Sequence, residues 1–86
     1  MPTISAFYGM LIQMSFRDHV APHFHVTYGD FKATIDIRKV MLLGGSLPRR
    51  ALNLALDWTE LHQTELLENW QLCAAMQNPQ PVSPLE

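Results

Sequence analysis

Hydrophobic and polar positions alternate along the first half of this chain and recur at helical spacing along the second. Residues 3–8 carry β-branched and aromatic side chains and stop at Gly9. Residues 10–16 then alternate, with Met10, Ile12, Met14 and Phe16 on one side and Leu11, Gln13 and Ser15 on the other. A period of two marks a half-buried strand. Gly9 takes turn conformations that other residues resist, so the two runs make either a hairpin or one bent strand. Residues 17–22 read as a loop. Pro22 disfavours helix at Ala21 and lacks a backbone donor, which suits the start of a strand. Residues 23–28 and 31–37 are two further strands, with Gly29-Asp30 as the hairpin turn between them. In the second, Ala33, Ile35 and Ile37 alternate against Lys32, Thr34 and Asp36. Residues 40–43 add a short strand closed by Gly44-Gly45.

The period changes after Ser46. That serine suits a helix cap, and Pro48 an early helical position where its missing N–H costs little. From 48 to about 76 the chain reads helical. Ala51, Leu54, Ala55, Trp58 and Leu61 form one stripe; Leu66, Leu67, Trp70, Cys73 and Ala74 form another. At roughly 100° per residue the second is displaced by on the order of 100°. The spacing therefore predicts two helices, or one kinked helix, with the break near His62-Gln63-Thr64 and Thr64 as cap of the second. Strands first and helices last predict an α+β domain, a small, mainly antiparallel sheet with the helices on one face. Residues 1–77 make that single domain. Pro79, Pro81 and Pro84 make residues 78–86 a Pro-rich extended or disordered tail, dispensable for folding.

Composition narrows the partners. The chain has 86 residues, enough for one small core. Its formal charge of −2 argues against gripping nucleic acid by bulk electrostatics. The single cysteine, Cys73, excludes an internal disulfide and sits where a small buried hydrophobe fits. Neither a signal peptide nor a membrane-spanning run is read, so the expected location is the cytoplasm of a microbial cell. No cofactor is implied.

Candidate chemistry gathers in residues 18–30, which hold three of the four histidines. In a strand, His23 and His25 share one face, while Phe24, Val26 and Tyr28 take the buried one. That turns both imidazoles towards solvent. Three readings stand. His23 and His25 could bind zinc or manganese, with His19 or Asp18 as third ligand. They could act as acid and base on an RNA 2′-hydroxyl, with Arg17, Lys32 or Arg38 stabilising phosphate charge. Or they are solvated polar residues on a sheet face. Arg49 and Arg50 fall in a first helical turn, where cations oppose the helix dipole. An anion, a phosphate backbone or a partner's carboxylates would favour them there, and an ion pair to Asp57 or Glu60 is the plainer account. Trp58 and Trp70 read as core rather than a ligand box, and His62 as a helix-junction residue. The broad apolar arc of the second helix leaves surface for a partner.

These residues also carry a resemblance. Met1-Pro2-Thr3-Ile4-Ser5, Phe7-Tyr8-Gly9, Asp18-His19, Pro22-His23-Phe24-His25-Val26 and Tyr28-Gly29 are joined by Leu47-Pro48-Arg49-Arg50-Ala51-Leu52. Trp58, Glu60-Leu61-His62, Glu65-Leu66 and Asn69-Trp70 complete the pattern. From Met1 to about Ala74 the chain resembles the bacterial domain of unknown function 4160 family. It carries Ala21 where a second proline is expected, which bears only on the stiffness of that loop. The resemblance implies a small prokaryotic protein encoded beside another, of the domain of unknown function 2442 type, a pairing similar to that of toxin–antitoxin modules. The leading expectation is thus a component of such a pair, acting by protein–protein binding through a helix face or an open sheet edge, or self-associating as a homo-oligomer. The alternatives are a small metal-independent ribonuclease-type toxin using His23 and His25, with Arg49 or Arg50 on RNA phosphate, and a metal-binding domain.

Overall fold

Each run of period two becomes a strand, and each strand pairs with the next. The structure, a computed structural model, describes residues 1–16 and 21–86. β1 (Thr3–Phe7), β2 (Met10–Gln13), β3 (His23–Tyr28), β4 (Phe31–Asp36) and β5 (Met41–Gly45) form one antiparallel meander in chain order. Two helices follow, α1 (Arg49–Leu61) and α2 (Gln63–Ala74). The fold is the expected α+β arrangement.

Tight turns set the register. Phe7 faces Met10 across Tyr8-Gly9, and both turn residues have positive φ, 48° and 81°. That is the requirement of a type I′ hairpin, so the first two runs are a hairpin and not one bent strand. Tyr28 faces Phe31 across Gly29-Asp30, with Gly29 at φ 56°. In β5, Gly44 stands opposite Thr34 and Gly45 opposite Ala33. The two glycines extend this strand instead of closing it. Gly45 has φ 74°, and a Cβ there would collide with the carbonyl oxygen of Lys32.

Register places Ile12 beside Val26 and Val26 beside Ala33. Together with Met10, Phe24 and Ile35 they form a face at most 4 % exposed. α1 sets Ala51, Ala55, Trp58 and Thr59 into the core; α2 adds Leu66, Asn69, Trp70 and Cys73. The Trp58 ring lies 5.1 Å from Phe7 and 5.6 Å from Phe24. Thr59 is buried at no polar cost because its hydroxyl donates to the Ala55 carbonyl at 2.7 Å. Burial pushes the Cys73 thiol up from its ordinary value, so it packs as a neutral small hydrophobe.

Three expectations about the helices change. Ser46 is not a cap; its amide donates to the Lys32 carbonyl at 3.0 Å, and α1 starts at Arg49 with Pro48 as its flanking residue, without a side-chain cap. Thr64 lies inside α2, whose N-terminal flank is His62. The break falls at His62, where φ is −115° and ψ 22°, within the expected segment. Its cause is not a rotated stripe. Leu61 is exposed, as is Ala74. Ala51 and Asn69 lie 18 residues apart, as do Ala55 and Cys73, which is five turns at about 3.6 residues per turn. The buried face therefore runs nearly in phase across the junction. Side chains anchor the bend instead. Gln63 donates to the carbonyls of Ile37 at 2.9 Å and Arg38 at 3.1 Å, and the His62 ring sits 5.5 Å from Trp58.

Residues 78–86 have no regular secondary structure and are docked against β1 and both helices. Val82 is buried, its amide donates to the Ile4 carbonyl at 2.8 Å, and Leu85 packs against the core.

Replacing Gly45 is the direct check on the β4–β5 pairing. Gly45→Ala combines a positive φ with a backbone collision and is expected to cost about 2–4 kcal/mol. Urea denaturation would read it; a cost within about 0.5 kcal/mol would mean that this close approach does not exist.

Candidate functional site

β3 carries the two histidines because its register is pinned at both ends. Ile37 donates to the Pro22 carbonyl at 3.0 Å at the start, and the Gly29-Asp30 turn closes the other end. Alternation then puts His23 and His25 on the face opposite Phe24 and Val26, as expected. Their rings meet edge to face with centroids 5.1 Å apart.

The two imidazoles differ in surroundings. His25 is half-buried on the sheet's open face, opposite Gln13 on β2 and Thr34 on β4. Its Nε2 lies 3.1 Å from the Ser15 hydroxyl and its Nδ1 3.5 Å from that of Thr34. His23 is 4 % exposed. This corrects the expectation that both rings face solvent. His23 is the first residue of β3, and the Trp70 ring of α2 packs 5.1 Å from it. Its Nδ1–H donates to the Ala21 carbonyl at 2.9 Å. A carbonyl only accepts, so Nδ1 carries the hydrogen of this bond.

Asp36 stands opposite His23 and is buried, but its carboxylate belongs to the β4–β5 turn, where it accepts from the Lys39 amide at 2.8 Å. The open face holds a concavity of ≈ 370 Å³ lined by Gln13, His25, Thr27, Lys32, Thr34 and Gly44. Lys32 is thus brought to His25. Arg38 borders a second concavity of ≈ 290 Å³ with Pro22 and Trp70, beside His23.

The remaining candidates lie elsewhere. Arg49 and Arg50 are exposed in the first turn of α1, and among the described residues neither pairs with Asp57 or Glu60. Arg50 borders a concavity with Tyr8 and Tyr28. Tyr28 ends the strand that His23 begins, five residues or about 17 Å away. The helix arginines and the histidine pair are therefore separate features. Arg17, Asp18 and His19 lie outside the described residues, and with them the proposed third metal ligand. Among the described residues, no group of three or more His, Cys, Asp or Glu could hold a metal ion.

Sequence reasoning missed Trp70 and Thr34 as companions of the pair. Thr34 had a signal, since alternation places it on the histidine face. Trp70 had none, because its partner is far along the chain. The assembled group has the parts of an acid/base pair: one imidazole donating from Nδ1, one between two hydroxyls, and a lysine on the same face.

Compared with known proteins, residues 9–71 match the family described as Domain of unknown function (DUF4160). That span covers well over half of the chain and includes both histidines, Trp58 and Trp70. No curated protein and no solved structure matches the chain. Among the described residues, no helix is long and apolar enough to cross a membrane.

The difference between the histidines is measurable. His23→Ala empties a buried position against Trp70 and is expected to cost about 2–3 kcal/mol; His25→Ala, half-exposed, is expected to cost under about 1 kcal/mol. Equal costs in denaturant titrations would show that Trp70 does not pack on His23.

Proposed function

The chain belongs to the DUF4160 family, whose description names no activity, and we propose that it is a protein-binding component of a prokaryotic, toxin–antitoxin-like pair. Its partner is a second small protein, of the domain of unknown function 2442 type, met in the cytoplasm. One observation carries the binding part of this reading. Among the described residues, β5 has no strand on its outer side. It carries no charge and no proline, and Met41 and Leu43 are 47 % and 50 % exposed. Proteins that avoid association blunt such an edge with lysine, proline or a covering segment. An uncharged edge with two exposed apolar side chains fits a partner strand, whose backbone would complete the hydrogen-bond ladder.

A second reading rests on the histidine pair. Two imidazoles 5.1 Å apart, one donating from Nδ1 to the Ala21 carbonyl, favour acid/base chemistry on an RNA 2′-hydroxyl. The phosphate-stabilising cation of that reading is Lys32 or Arg38, and the α1 arginines serve as contacts for a partner's carboxylates.

The two readings separate on two variants. Under the binding reading, Leu43→Lys is expected to weaken a purified complex with the co-expressed neighbour at least tenfold, with the melting temperature unchanged. His25→Ala should then leave that affinity within about twofold. Light scattering that finds only monomer, alone and co-expressed at tens of micromolar, removes the binding reading. Growth inhibition that His25→Ala abolishes while the fold persists would move the assignment to the nuclease.

A further inference from the structure

The tail does more than shield a surface; it fills a cleft in which Asn69, Trp58 and the Ile4 carbonyl address its backbone. The Asn69 side chain donates from Nδ2 to the Gln80 carbonyl and accepts from the Gln80 amide at Oδ1, both at 2.8 Å. The Trp58 indole donates to the Ser83 carbonyl at 2.8 Å, and the Ile4 carbonyl accepts from the Val82 amide at 2.8 Å. Asn69 and Trp58 are themselves 2 % and 0 % exposed. Four main-chain bonds thus hold a tail with no regular secondary structure. Only Val82 is a fully buried anchor, while Gln80, Pro81, Ser83 and Pro84 remain exposed.

Such a cleft reads shape and backbone. Pairing at the outer side of β1, through Ile4, is the logic of strand addition, in which backbone bonds give affinity and one or two side-chain pockets give selectivity. Asn69 and the Trp58 indole would be costly to leave unpaired in the interior, so the cleft needs an occupant, but nothing in these bonds demands this tail. We propose that the cleft between β1, α1 and α2 receives an extended segment of a partner protein, and that residues 79–85 are its intramolecular competitor. The rim states the segment's chemistry. Glu65 and Glu68 line the concavity beside Gln80, Pro81 and Val82; Glu65 is held by the His62 ring at 2.7 Å, and the tail sets no cation against Glu68. The fitting segment has a valine-sized apolar residue in the Val82 position and a lysine or arginine where Gln80 lies. The tail enters through Met76, held at φ 60°, and, like Ile4, lies outside the residues that match the family, whereas Trp58 and Asn69 lie within them. This cleft is a different surface from the β5 edge.

The test uses the full chain and two labelled peptides, one with the sequence of residues 78–86 and one with Gln80→Lys, read by fluorescence anisotropy. Val82→Asp removes the tail's anchor and leaves the cleft intact. It is expected to bind either peptide at least tenfold more tightly than the wild-type chain, in which the tail competes. Adding Asn69→Ala to that variant is expected to lose at least tenfold, and the lysine peptide should bind two- to fivefold better than the other at low salt. Leu43→Lys should change none of this, which separates the cleft from the β5 edge. Equal binding by wild type and Val82→Asp overturns the proposal, as does no binding by either. Loss of the folded circular dichroism signal in Val82→Asp also overturns it, because the tail is then an integral part of the core. Equal affinity of the two peptides overturns the basic position. A wild-type dimer formed by exchanged tails assigns the cleft to a second copy of this chain and overturns the separate partner.

Discussion

Trp58 is the residue on which the rest of this small fold converges. Its ring packs against Phe7 of β1 and Phe24 of β3, its neighbour at the helix junction is the His62 ring, and its indole N–H holds the Ser83 carbonyl. Sheet, bend and tail therefore share one buried side chain. A large aromatic with a single donor suits that position, because it fills volume that several small residues would have to share and still needs one polar partner. The tail supplies that partner. In a chain of 86 residues, where the buried fraction is small, a terminal segment that closes the core has more weight than in a larger domain.

The two outer strands are treated differently. The β1 side receives the Val82 amide at Ile4, whereas β5 ends the sheet with exposed methionine and leucine side chains. Antiparallel meanders can leave one face and both edges open to water. Here one edge is partly closed from within the chain and one is not. That asymmetry underlies the proposed binding role of β5 and the proposed competed role of the cleft at β1.

The histidine pair shows how a shared face can still hold two environments. Alternation puts His23 and His25 on one side of β3, but only His25 stands over the open concavity. His23, at the strand's start, is close enough to α2 for Trp70 to pack on it. Its buried ring is tolerated because Nδ1–H has a carbonyl acceptor. The polar group so formed joins Ser15, just beyond β2, to His25 of β3 and Thr34 of β4, an arrangement that no single segment of the chain contains.

What the sequence determined by itself was what acts within a few residues: strands of period two, turns, and helical stretches. The bounds of β3, the pairing across Gly29-Asp30 and the buried faces of β2 and β4 were all legible, because steric preference and side-chain alternation are local; the bend near His62 was placed correctly but for a reason the structure does not bear out, since Gln63 anchors it to distant carbonyls. What the tertiary structure decided was which member of a local pattern gets a distant neighbour. Leu61 belonged to an apolar stripe and is exposed, while Thr59 and Asn69 are polar and buried. Thr59 finds its acceptor one turn back, and Asn69 finds the Gln80 backbone only once the tail has folded along α2. His23 is buried by a tryptophan 47 positions further along the chain, and the Pro-rich tail is docked by Trp58 and Ile4. Periodicity reports which way a side chain points; whether anything waits there depends on how the elements pack.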